Sequence, residues 1–283
     1  MGCTLGALHY TGSGVDQSYA RLFRAGLYPA PEGRAAALTQ PSQPTGGRII
    51  LLDIEGTTTP KAFVYQTLFP YAGEHVRDYL LQHLGDSSVR LAIDGLQQQN
   101  AADTEANFDP PLWWNTLPVN STVAYVHWLM DRDSKLPALK DLQGKILVDG
   151  YESGQLRGEV YPDVRPAFER WTRQGRAVCI FSSGSVLAQK LLFSLSTAGD
   201  LTQFICAYFD TTTGGKQEAA SYSCIAKELA APPKEIWFVS DAAEELAAAR
   251  AAGVETVLCA RPGECDPAAA DCRKVQSFDE VFP

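Results

Sequence analysis

In RIILLDIEGTTTPKAFVYQTLFPY, Arg48 to Tyr71, an apolar run ends abruptly in two carboxylates, a glycine and three threonines. Ile49 to Ile54 has the composition of a strand buried on both faces of a parallel sheet, which brings Asp53 and Glu55 out at its carboxyl edge. Open α/β sheets bind ligands at that edge. A carboxylate there can attack phosphorus if a divalent cation offsets the repulsion between two anions. If extended backbone continues to residue 55, both side chains point the same way, and Glu55 can move a proton at the centre that Asp53 opens.

Three further segments carry candidate residues. In IFSSGS, Ile180 to Ser185, a strand enters a helix through Ser182, Ser183 and Gly184. Hydroxyls and N–H groups at such a turn can grip phosphoryl oxygens, and Gly184 lets the main chain approach closely; the same serines could instead be plain helix caps. In FDTTTGGKQEAASY, Phe209 to Tyr222, Lys216 follows two glycines. Its ammonium could neutralise a transferring phosphoryl group or simply solvate a helix end. In IWFVSDAAEE, Ile236 to Glu245, Asp241 ends a second apolar strand, where it either caps the next helix or joins Asp53 in holding Mg2+ through oxygen ligands.

These segments sit on alternating strands and helices, the pattern of an α/β fold with a Rossmann-like parallel sheet. Expected strands are 49–54, 177–182, 207–210, 236–240 and 255–259. Asp163 is expected to start a helix through VRPAFERWTRQG, and further helices are expected over 186–195, 218–229 and 243–252. The interval from Ile54 to Ala177 is too long for a crossover and carries helical periodicity, so an inserted α-helical cap domain is expected at 63–154. Its expected helices are 63–84, 87–99 and 122–130, with DPPLWWNTLP as a connection in which Trp113 and Trp114, like Trp128 in the last helix, serve packing. A cap over the carboxyl edge would exclude water and select the substrate's non-reacting end. The core is then 48–62 together with 155–283. Residues 1–47, rich in Gly, Ala, Pro, Thr and Ser, are expected to be a linker-like or disordered extension, with one short helix around 19–26; their arginines also fit an organelle transit peptide.

With 24 Lys and Arg against 33 Asp and Glu, the net charge of −9 gives no general attraction to nucleic acid or anionic membranes and favours a small-molecule substrate. Seven cysteines without CxxC spacing are expected to be reduced core residues rather than zinc ligands. No segment reaches the roughly 18 apolar residues of a membrane-spanning helix.

The order of acidic strand end, serine turn, lysine and second acidic strand end resembles the haloacid dehalogenase-like phosphohydrolases. More specifically, LDIEGTTTP with LFPY, IFSSGSVLAQKLLFS, YFDTTTGGKQEAASY, and VSDAAEELAAARAAG with RPG resemble the enolase-phosphatase family of methionine salvage, over residues 48–263. The distinguishing mark is a glutamate two residues after the nucleophile, here Glu55. The resemblance implies conversion of 2,3-diketo-5-methylthiopentyl 1-phosphate, by enolisation and then dephosphorylation, to an acireductone, with Mg2+ as cofactor, in a monomer that is cytoplasmic and, in eukaryotes, also nuclear. It implies Asp53 as nucleophile, Asp53, Asp241 and the Glu55 carbonyl at the metal, and Ser182, Ser183, Gly184 and Lys216 at the substrate. The Glu55 side chain is implied to serve either the leaving oxygen or the substrate carbon, and the enolisation base is unassigned. Relatives carry a tryptophan near Leu147. Plant relatives fuse a dehydratase ahead of this domain, and QSYARLFRAGL is similar to its last helix. A phosphatase for another small ester and a non-catalytic chain are the competing readings.

Overall fold

The computed structural model describes residues 49–263 and 272–283; the expected extension, its short helix, Cys3 and Cys265 lie outside them. Six parallel strands form one sheet in the order β3-β2-β1-β4-β5-β6, comprising β1 (Ile49–Leu52), β2 (Ala177–Phe181), β3 (Ile205–Phe209), β4 (Ile236–Ser240), β5 (Glu255–Cys259) and β6 (Arg273–Val275). All four residues of β1 are buried because it lies mid-sheet with helices on both faces. Ile50 and Leu52 pack toward Phe168 and Trp171 of α5 (Val164–Arg173) and Leu192 of α6 (Val186–Ser194). Ile49 and Leu51 pack toward Tyr222 and Ile225 of α7 (Ala219–Glu228) and Leu246 of α8 (Ala243–Ala251). Strand order reverses between β1 and β4, so the carboxyl ends of these two strands flank the crevice where such sheets take ligands.

The insertion between β1 and β2 holds α1 (Phe69–His83), α2 (Ser87–Glu105), α3 (Pro118–Met130) and α4 (Pro137–Glu152) around their own core of Val76, Leu80, Leu96, Val126 and Leu142. A short helical turn at Lys61–Phe63 and a π-helical turn at Val64–Leu68 lead into α1. Leu68, Val148 and Tyr151 belong to the sheet's apolar cluster, while Tyr71 and Leu147 touch both cores. The two cores are thereby keyed together at the root of the insertion.

Several sequence expectations are corrected. Helix α4 was not anticipated, because Gly144 and Gly150 interrupt its apolar stripe; Gly150 is required, since a Cβ there would press on the Tyr71 ring. Helix α2 runs on to Glu105, and α3 starts at Pro118, where the missing N–H costs nothing. Strand β3 begins two residues early, and β6 was not foreseen. Strand β1 ends at Leu52 rather than Ile54, because the Ile54 carbonyl accepts turn bonds from the N–H groups of Thr57, Thr58 and Thr59 at 3.2, 2.9 and 2.9 Å. Asp163 does not cap α5 through its side chain. Cys179 and Cys259 are buried, but Cys206 is exposed and Cys224 and Cys272 are half-buried. Trp114 is 59% exposed, so packing does not account for it.

Gly158, on the return from the cap, donates to Leu195 O (2.9 Å) and accepts from Thr197 N (2.7 Å). A Cβ there would overlap the Leu192 carbonyl, which is backbone and cannot step aside. Gly158→Ala is therefore expected to cost about 1–3 kcal/mol of stability in urea unfolding; an unchanged midpoint would mean that this segment is not held as tightly as it stands.

Candidate active site

Asp53 lies just beyond β1, its N–H bonded to Val239 O of β4 at 3.0 Å. Parallel register pairs Leu52 with Ile180 and Val239, so Asp53, Ser182 and Asp241 stand at neighbouring strand ends around the crevice. The carboxylate of Asp53, which is buried, receives a short ion-pair hydrogen bond from Lys216 Nζ. The same ammonium lies 2.7 Å from Glu245 Oε2, and Glu245 is steadied by a 2.9 Å bond from Ser240 Oγ. Lys216 is only 10% exposed. Burial works against its charge, but Asp53 and Glu245 outweigh that and raise its pKa. It is a fixed cation at the base of the crevice rather than a solvated helix-end lysine.

Burial raises the pKa of Glu55, and the Asp53 charge adds to the effect. Glu55 is not aligned with Asp53 by strand alternation, because the chain turns at Ile54; it is instead held by a bridge to Thr59. The two charges nevertheless interact, and those of Lys216 and Asp241 reach Glu55 as well. Lys135, in the loop between α3 and α4, and Tyr65, on the π-helical turn, are also within electrostatic range of Glu55, which sets the cap over this edge.

Asp241 is buried, and burial followed by the Asp53 charge raises its pKa against the pull of Lys61. It does not cap α8, whose N-cap is Ala242. Its Oδ2 lies 2.5 Å from Lys61 Nζ as an ionic contact, yet accepts no well-aligned hydrogen bond. Ser182 is buried, and its Oγ accepts from Gly184 N at 3.2 Å. Ser183 is exposed, and the actual cap of α6 is Ser185, accepting from Ala188 N at 3.3 Å. Ser182 thus stands beside the carboxylates without touching them.

Among the described residues no three His, Cys, Asp or Glu side chains form a ready-made metal cage. The donor types still suit a hard divalent cation, since the buried carboxylates of Asp53 and Asp241 both offer oxygen. At Gly56, with φ +72°, a Cβ would run into the Asp241 carboxylate and into Lys61 Cε, so the bare glycine is what lets those two groups stand there. The ammonium of Lys61 already occupies a cation's place on Asp241.

Sequence reasoning missed four residues that build this site. Glu245 reads as one more acid on a helix, and Lys61 as a solvated lysine. Buried Gln189 donates to Gly184 O and Phe209 O, both at 2.8 Å, fixing the serine turn against β3. Arg261, also buried, donates to Thr57 O at 3.1 and 2.9 Å and to Asp163 Oδ2 at 2.6 Å. Asp163 in turn accepts from Ser277 Oγ and Phe278 N, and Arg261 lies over the Tyr161 and Phe278 rings. The RPG motif was visible, but not that its arginine clamps the threonine loop.

A family model described as haloacid dehalogenase-like hydrolase matches residues 48–253. A protein named Enolase-phosphatase E1 from Synechococcus elongatus is 47% identical over 232 residues, 82% of this chain and 96% of the relative. One of the same name from Drosophila melanogaster is 42% identical over 228 residues, 80% and 88% of the two chains. Among solved structures, the UTR4 protein of Saccharomyces cerevisiae aligns with a TM-score of 0.66 at 34% identity, covering 83% of this chain and all of that one. CbbY from Rhodobacter sphaeroides, solved with phosphate, shares the fold at a TM-score of 0.51 and 15% identity.

Burial first, then the Asp53 charge, lifts Glu245 from 4.5 to about 7. The folded protein therefore holds this proton more tightly than the unfolded chain does. The resulting stability is fully present below pH 4.5 and is lost as pH rises through about 7. Without metal, the wild type is expected to lose about 2 kcal/mol relative to Glu245→Gln over that window, as read by urea unfolding. Parallel pH profiles would contradict this account of Glu245.

Proposed function

Because the chain belongs to the haloacid dehalogenase-like hydrolases and, within them, to the enolase-phosphatases, we propose that its crevice enolises 2,3-diketo-5-methylthiopentyl 1-phosphate and then removes the phosphate, giving the acireductone of methionine salvage. The observation that carries this is the largely buried Asp53–Lys216–Glu245 chain at the switch point of the sheet, beside Asp241 and a half-buried Glu55 whose pKa is raised by burial and by the Asp53 charge.

The Asp53 carboxylate attacks phosphorus, an acyl-phosphate bond forms, and the bond from phosphorus to the ester oxygen breaks. Water then hydrolyses the acyl phosphate and regenerates Asp53. Lys216 holds Asp53 in place and faces the charge of the phosphoryl oxygens, a role that needs a fixed cation. In this reading Ser182 Oγ donates to that group at the next strand end, with the Gly184 turn beside it and exposed Ser183 at its rim. Glu55, whose burial favours its neutral form, can deliver a proton to the leaving oxygen or exchange one at the substrate carbon. The enzyme uses a divalent metal; we assign Mg2+, held by Asp53, Asp241 and the Glu55 carbonyl, where it offsets the negative charge shared by carboxylate and phosphate.

The substrate is a small phosphate ester, and among the described residues no helix is long and apolar enough to cross a membrane. The same reading makes the protein a cytoplasmic monomer, in a eukaryote also nuclear, that binds neither nucleic acid nor membrane; the net charge of −9 supports the absence of nucleic acid.

Purified protein given Mg2+ and the diketo phosphate should show a transient enol absorbance before phosphate appears. Asp53→Asn, which keeps the shape but removes the nucleophilic charge, should release no phosphate. Phosphate without a preceding enol would instead indicate a phosphatase for another small ester, and turnover by Asp53→Asn would remove Asp53 from the mechanism.

A further inference from the structure

Lys61 opens the helical turn that follows the threonine loop, directly after Pro60. Its side chain crosses the face of Gly56, where an added Cβ would lie 2.8 Å from Lys61 Cε and 2.8 Å from Asp241 Cγ. The bare glycine is thus a passage that lets an ammonium from the far side of the turn reach a buried carboxylate. The pair is asymmetric, with the Lys61 side chain 44% exposed and that of Asp241 only 4%. Asp241 stays where it is, while Lys61 has an open route to solvent.

We propose that Lys61 is a tethered competitor for the divalent cation: its ammonium neutralises Asp241 while the metal is absent and is expelled when the metal binds, so that it sets how tightly the metal is held. This rests on the metal site assigned above. A divalent cation on the Asp241 carboxylate would repel an ammonium held against the same group, so the two compete for its charge. Metal affinity is then the intrinsic affinity reduced by the strength of the Lys61–Asp241 pair, and the metal-free protein gains what the loaded one gives up. The charges of Asp53 and Glu55, which interact with Asp241, sharpen the effect, because they make an uncompensated Asp241 costly.

Isothermal titration of Mg2+ into the metal-free full chain tests this, using wild type, Lys61→Met, Lys61→Arg and Asp241→Asn at one ionic strength, with thermal melts of each protein. Lys61→Met should bind Mg2+ roughly tenfold more tightly than wild type. It should also melt lower without metal and gain more from Mg2+, whereas Lys61→Arg should keep the wild-type affinity. Equal or weaker binding by Lys61→Met overturns the proposal, as does Lys61→Arg behaving like Lys61→Met, which would make shape rather than charge the cause. If wild type and Asp241→Asn take up Mg2+ identically, the metal site itself is wrong, a result separable from failure of the competitor idea.

Discussion

Four carboxylates, Asp53, Glu55, Asp241 and Glu245, crowd one crevice at the carboxyl edge of the sheet, and two lysines are what make that tolerable. Lys216 binds Asp53 and Glu245 together, and Lys61 covers Asp241. Like charges so close and so little solvated would otherwise shed charge by taking up protons, and the raised pKa values of Glu55, Asp241 and Glu245 show the pressure in that direction. The proposed reaction accounts for this arrangement, since it calls for a nucleophilic carboxylate, a proton carrier and a cation seat within one substrate's width.

Rigidity comes from the backbone around the charges. The threonine loop folds back on the Ile54 carbonyl, and Arg261 grips it at Thr57 while bonding Asp163, which also holds the N–H of Phe278. Segments far apart in the chain are thereby tied behind Asp53. Gln189 does the same for the serine turn. The cap is rooted at this loop through Phe63 and Leu68, so the element that covers the crevice is continuous with the one that carries Asp53.

What could be read from the chain beforehand followed from composition. Apolar runs closing on a polar residue marked β1, β2 and β4, and the residues at their ends, Asp53, Ser182 and Asp241, were visible for the same reason. Lys216 acquired meaning only from its order among the others. Contacts that depend on tertiary structure left no such trace. A buried arginine or glutamine, or a half-buried glutamate, looks in sequence like a surface residue, which hid Arg261, Gln189 and Glu245. Helix α4 was hidden by its glycines, and Asp163 looked like a cap because aspartate before a helix usually is one, whereas here Arg261 and Ser277 claim its side chain. The turn at Ile54 ended the strand sooner than its apolar run implied.

All of this chemistry depends on Asp53 becoming phosphorylated. Borohydride quenching during turnover reduces an acyl phosphate to an alcohol, so peptide mass mapping should find homoserine at position 53 only when substrate was present. Unmodified Asp53 under quench conditions that trap a known acyl phosphate, or reduction at another carboxylate, would contradict the account.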